Sequence, residues 1–157
     1  MTQTALSLTT DARTAIADAL NQCVAETVVT TMMAQNFHWN VEGMAFGPLH
    51  ELFQRIYEDH FVGQDDLAER IKAIDMYAEG QLGGMLTRSK VVEKDGHRDA
   101  KEMIRQLMEA EEILGATLAG AGHIAAENGD TLTEDLAIER GRIHEKFAWM
   151  LRAHLKG

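Results

Sequence analysis

Cysteine and proline are almost missing: each occurs once among 157 residues. The lone cysteine, Cys23, excludes an internal disulfide framework and any cysteine-built zinc or iron–sulfur site within one chain. The lone proline, Pro48, argues against a loop-rich all-β fold and favours long uninterrupted helices. Long apolar runs are absent too, so no segment approaches the length of a membrane span. Met1 to Arg13 is polar and has no basic segment followed by an apolar stretch. No secretory leader is read there, and a reducing cytoplasm is the expected compartment. Positive charge is scarce: 25 acidic residues against 15 basic ones give a formal charge of −10. Affinity for phosphates is supplied mainly by Lys and Arg, so such a surface does not attract nucleic acid by itself and suits cations better.

What is present is a globular composition, 45% hydrophobic and 25% charged, of a size that fits one hydrophobic core. No repeat, low-complexity tract or linker divides the chain. A single domain over 1–157 is expected, with a flexible tail over 1–10. Four long helical stretches emerge. The first runs from about Asp11 to Trp39, with Ile16, Leu20, Val24 and Val28 on one stripe and Thr10 or Asp11 as the N-cap. Asn40 to Gly43 reads as a turn. The second runs from about Pro48 to Ala73, with Pro48 tolerated in the first turn and Gly63 mid-helix, a bend or a close helix contact. Met76 to Asp95 is irregular, with a short helix around Leu82, Met85 and Leu86. The third long stretch spans about Asp99 to Glu127. The fourth starts near Thr131 or Thr133 and ends near His154, with Ile138, Ile143, Phe147, Trp149, Met150 and Leu151 as its apolar members. An all-α, ferritin-like four-helix bundle with a long crossover carrying a short helix between the second and third long helices fits this order.

The chemistry concentrates between His38 and Glu69. His38 closes the first helix and His50 opens the second, so the turn between them can bring both imidazoles to one end of the bundle. Asp65 and Glu69 form an i, i+4 carboxylate pair on the second helix. Imidazole plus carboxylate, without thiolate, suits iron. Fifteen residues separate His50 from Asp65, about 22 Å along a continuous helix, so one chain cannot wrap one ion with all four. Two chains with their second helices antiparallel would bring His38 and His50 of one to Asp65 and Glu69 of the other, giving two sites per two-fold interface. No histidine has Glu three residues before it, so the paired Glu-x-x-His arrangement of an intra-bundle di-iron site is not expected. His60, His97, His123, His144 and His154 read as structural or surface residues.

The run His38-Trp39-Asn40-Val41-x-Gly43-x-x-Phe46-x-x-Leu49-His50-x-x-Phe53, then Asp65-x-x-Ala68-Glu69-Arg70-Ile71, resembles the signature of the Dps proteins, a group of ferritin-like proteins. His144-Glu145-Lys146-x-x-Trp149-Met150-Leu151-Arg152-Ala153 is similar to that family's C-terminal pattern. The resemblance implies a hollow dodecamer with a ferroxidase centre at each dimer interface. Fe(II) would be oxidised there, preferentially by hydrogen peroxide rather than oxygen, and ferric iron stored in the cavity. It implies His38 and His50 as metal ligands from one subunit, Asp65 and Glu69 as ligands from its partner, and Trp39 beside the iron as an interceptor of oxidising equivalents. The chain departs from the pattern at Gln54, where a carboxylate is usual; a neutral amide oxygen is a weaker ligand. A non-catalytic or weakly catalytic metal-binding or DNA-protecting shell is the alternative that Gln54 favours. The resemblance also implies acid-lined entry pores, for which Glu127, Asp130, Glu134 and Asp135 are the candidates. Met1 to Arg13 holds no lysine, and twelve copies would carry about −120 formally, so tight DNA binding is not expected.

Overall fold

A computed structural model describes residues 5–94 and 99–156. Five α-helices follow one another: α1 (Thr10–Asn40), α2 (Phe46–Ala73), the short α3 (Leu82–Arg88), α4 (Ala100–Glu127) and α5 (Thr131–His154). The four long ones form the bundle and α3 lies on the crossover between α2 and α4. Among the described residues there is no strand, and no helix is long and apolar enough to cross a membrane. Of the tail expected over 1–10, Ala5–Ser7 form a 3-10 turn and Leu8 is buried in the core; residues 1–4 lie outside the described residues.

Side-chain caps start three of the four long helices. Thr9, one residue before the expected cap, accepts a hydrogen bond from the Ala12 N–H at 3.1 Å. Asp99 accepts from the Lys101 N–H at 3.0 Å, and Asp130 from the Thr133 N–H at 3.1 Å. Each satisfies an otherwise orphaned donor of the first turn. Between α1 and α2, Gly43 takes φ 104, a conformation that costs glycine little. That turn reverses the chain within a few residues and lays the start of α2 beside the end of α1.

Helix α1 packs along α2, α4 packs along α5, and α1 also touches α4 and α3. The core divides into two apolar clusters. One holds Phe37, Leu49, Phe53, Ile56, Leu107 and Phe147; the other holds Ile16, Leu20, Leu67, Ile71, Leu114 and Leu118. Between them the stripes are interrupted by buried polar side chains: Glu26, Thr27 and Thr30 on α1, His60 on α2, Glu111 on α4, Arg140 and His144 on α5. Two apolar members expected for α5 are turned outward instead: Ile138 is 51% exposed and Trp149 59% exposed. Inward positions on that helix go to Arg140 and His144, which find partners inside.

Gly63 is the close helix contact. A Cβ there would lie 2.4 Å from Cζ of Arg140, so the missing side chain is what lets the guanidinium enter the bundle. An ordinary exposed helical Gly→Ala change stabilises by about 1 kcal/mol. Gly63→Ala is expected to do the reverse, destabilising by about 1–3 kcal/mol through overpacking, read as a lower thermal midpoint.

Candidate metal centre

His38 is buried and His50 half-buried. Their rings stack, with centroids 3.7 Å apart and planes at 16°. His38 Nδ1 meets the His50 carbonyl oxygen at 2.7 Å, and His50 Nδ1 meets the His38 carbonyl oxygen at 2.8 Å. A carbonyl can only accept, so both Nδ1 atoms carry the proton and donate. This reciprocal pair fixes both tautomers, and the lone pair sits on Nε2 of each ring. No partner among the described residues takes up either Nε2. Phe46 stacks on His50 with centroids 5.0 Å apart, and Tyr57 meets His38 edge-on at 5.3 Å. Two aligned imidazoles with free Nε2 lone pairs have the donor atoms to bind a borderline cation.

Within one chain the structure does not bring Asp65 and Glu69 to that pair. Both are exposed, farther along α2. Asp65 lines a groove with Phe61 and Val62, which are 65% and 59% exposed. The same flank carries Met32, Leu82 and Leu86, also exposed. Trp39, next to His38, is 61% exposed. Gln54 donates through Nε2 to Glu58 at 2.8 Å. Cys23 is fully buried; burial, then the charge of Glu26, pushes its thiol up to about 12, so it stays a neutral thiol.

Asp130, expected among the pore acids, has another task. It is 4% exposed, caps α5, and pairs with Arg70 at 2.9 Å. Arg70 reaches Thr133 Oγ1 at 2.8 Å as well. The acid at the α4–α5 turn is consumed by a tie between α2 and α5. Glu127 and Asp135 remain exposed and Glu134 half-buried. His97 lies outside the described residues.

Among the described residues, one group brings three metal-ligating side chains together, and it is not the expected one: His60, Glu111 and His144. Glu111 stands between the two histidines, with Oε1 2.5 Å from His60 Nε2 and Oε2 2.5 Å from His144 Nδ1. His60 Nδ1 is 3.0 Å from Asp59 Oδ2. Arg140 donates to both Asp59 oxygens, at 3.2 and 2.8 Å, and its Nη2 lies 3.4 Å from His144 Nε2. The signal available in sequence was polar residues on apolar stripes: His60 between Ile56 and Leu67, Glu111 between Leu107 and Leu114, His144 before Phe147 and Leu151.

The charges of this layer balance. Burial works against the Glu111 carboxylate, but the facing His60 and His144 outweigh it and hold it at about 2. Burial opposes the Asp59 charge likewise, yet hydrogen bonds and charge from His60 and Arg140 keep it well below the usual carboxylate range. Burial lowers His60, and Glu111 with Asp59 raise it further, for a net upward shift. For His144 burial prevails over Glu111 and the shift is downward. The contacts agree with these directions: both ring nitrogens of His60 face carboxylate oxygens and donate to them, as an imidazolium does, whereas His144 donates only through Nδ1 and turns its Nε2 to the Arg140 guanidinium.

These directions set a pH window for the metal-free protein. Glu111 and Asp59 contribute fully above the ordinary carboxylate range, and that contribution is lost as acid approaches their lowered values. His144 contributes fully above about 6.5 and loses its share as pH falls through its lowered value. His60 contributes fully below about 6.5 and loses its share as pH rises through its raised one. Thermal midpoints measured across pH are expected to peak near neutrality. The acid limb should be shallower in Glu111→Gln.

A ferritin-like domain model matches residues 17–157. The chain is 36% identical over 143 residues to a DNA protection during starvation protein of Brevibacillus brevis, covering 90% of this chain and 95% of that one. It is 34% identical over 140 residues to DNA protection during starvation protein 2 of Bacillus anthracis, covering 89% and 96%. The crystal structure of a Dps protein from Vibrio cholerae O1, described as a member of a broad superfamily of ferritin-like diiron-carboxylate proteins, superposes with a TM-score of 0.92 at 31% identity, over 99% of this chain and 98% of that one.

Proposed function

We propose, since the chain belongs to the ferritin-like family and within it to the Dps proteins, that it oxidises Fe(II) at sites shared between paired subunits and stores the ferric product. The observation that carries this reading is the His38–His50 pair, whose reciprocal Nδ1 bonds leave both Nε2 lone pairs free. His38 and His50 would bind Fe(II) on one side, and Asp65 and Glu69 of the partner subunit would close the site on the other. The exposed Phe61, Val62, Met32, Leu82 and Leu86 supply an apolar flank beside Asp65 for that pairing. A hollow shell, expected as a dodecamer, would follow from further contacts, with Glu127, Glu134 and Asp135 as the acids left to line its iron entry.

Iron is the substrate. With hydrogen peroxide as oxidant, two Fe(II) each give up one electron, the O–O bond breaks, and two protons are taken up to release two waters. The two histidines keep the incoming ion at the Trp39 end of the bundle, where that indole can intercept stray oxidising equivalents. Fe(II) and peroxide would be removed together, which limits hydroxyl-radical formation.

The test is ferric absorbance after peroxide is added to Fe(II)-loaded, DNA-free protein. A peroxide-dependent rate well above that of free Fe(II) is expected, and a rate equal to free Fe(II) would sink the reading. Gln54 refines it. Its amide donates to Glu58, and a carboxylate one turn after His50 would add a charged oxygen ligand. Gln54→Glu is therefore expected to tighten Fe(II) binding severalfold and to speed oxidation, measured by calorimetric titration and by stopped flow.

A further inference from the structure

We propose that His60, Glu111 and His144 form a second metal site, inside each bundle, that holds one first-row divalent transition ion such as Zn(II) or Co(II). The three side chains come from α2, α4 and α5, and all are 0% exposed. Their ligating atoms lie within 4.8 Å of one another. Two imidazoles and one carboxylate select borderline ions over Mg(II) and Ca(II), which need more oxygen ligands.

The surroundings are arranged as such a site requires. His60 presents Nε2 inward because its Nδ1–H is held by Asp59 at 3.0 Å, the carboxylate–histidine pairing that orients metal ligands. Asp59 is in turn held by Arg140 through both oxygens, so the guanidinium charge is answered before it reaches the ion. In the metal-free protein, protons occupy the ligand positions: one on His60 Nε2 and one on His144 Nδ1, both donated to Glu111. Binding would release the first to solvent and move the second to His144 Nε2; because Arg140 Nη2 lies 3.4 Å from that nitrogen and can only donate, this contact must open while Arg140 keeps its bonds to Asp59.

All three ligands are fully buried, and with both Glu111 oxygens on the ion the protein would supply four donor atoms, which suits a retained ion rather than one that turns over. Its position gives it a task. Helices α1 and α2 pack as one pair and α4 and α5 as the other, with few contacts from α2 to α5. An ion held by all three of α2, α4 and α5 would clamp the two pairs at mid-height, between the two apolar clusters.

The test separates this site from the shared one. In a His38→Ala/His50→Ala background, stripped by chelator and equilibrated with Co(II) alone, one ion per chain is expected, with visible absorption bands and a higher thermal midpoint. Adding Glu111→Gln is expected to abolish the bands and that equivalent. A background protein that takes up no Co(II), or a Glu111→Gln chain that binds it equally, overturns the proposal. Should Glu111→Gln not fold, crystals of the unsubstituted protein soaked in Co(II) decide: an anomalous peak among His60, Glu111 and His144 supports the site, and none there overturns it.

Discussion

His50→Ala is expected to cut the initial rate of peroxide-driven Fe(II) oxidation by at least tenfold while leaving the fold intact. Disturbing even the groups that orient a metal ligand typically costs 10–100-fold, and here the proposed ligand itself goes. His38 keeps its own anchor, because its Nδ1–H bonds to the backbone oxygen of residue 50, which alanine retains. What is lost structurally is one hydrogen bond to the His38 carbonyl, about 1 kcal/mol, and a ring between His38 and Phe46. Far-UV dichroism should match the parent and the thermal midpoint should drop by only a few degrees. Stopped-flow absorbance gives the rate and a melt gives the control.

The second large effect is on stability. Glu111→Ala removes the carboxylate between two buried histidines and leaves an imidazolium with half its counter-charge. Breaking a buried pair by deleting one partner costs about 3–5 kcal/mol, which for a domain of this size lowers the melting midpoint by roughly 6–20 °C. Its neighbour Glu112 is the control. It is 51% exposed and meets Arg152 only at 3.5 Å, so Glu112→Ala should stay within about 0.5 kcal/mol. Differential scanning calorimetry of the two metal-free variants separates a buried from a solvated carboxylate one residue apart.

The helices were legible because apolar spacing, caps and breakers are local. Ile16, Leu20 and Val24 recur every turn, and Asn128-Gly129 stops α4 near where the structure does. The His38–His50 approach was legible for the same reason: a short turn with Gly43 leaves the chain little choice. The reciprocal Nδ1 bonds were not, since they depend on the register of α2 against α1.

The buried layer was harder still. His60 meets Glu111 across 51 residues and Glu111 meets His144 across 33, and a search for offsets of three or four within one helix cannot see a group spread over three. Gly63 was visible as an oddity, but its reason is a guanidinium from α5. Asp130 looked like a free acid at a turn; its capping of α5 through Thr133 is local, but its pairing with Arg70 comes from another helix. Ile138 and Trp149 carry apolar side chains on the outer side of α5, where composition alone placed them inside.

The central claim is that the iron site is built by two chains. His50→Ala and Asp65→Ala chains, each expected to be inactive alone, can be co-expressed and the mixed assemblies assayed. In a mixed pair, one interface site has lost both sets of ligands and the other has kept both. Random pairing then restores roughly a quarter of the sites, and the oxidation rate should recover to about that fraction of the parent's. A mixture as inactive as its components would mean that each chain needs its own His50 and its own Asp65, and the shared site would be wrong.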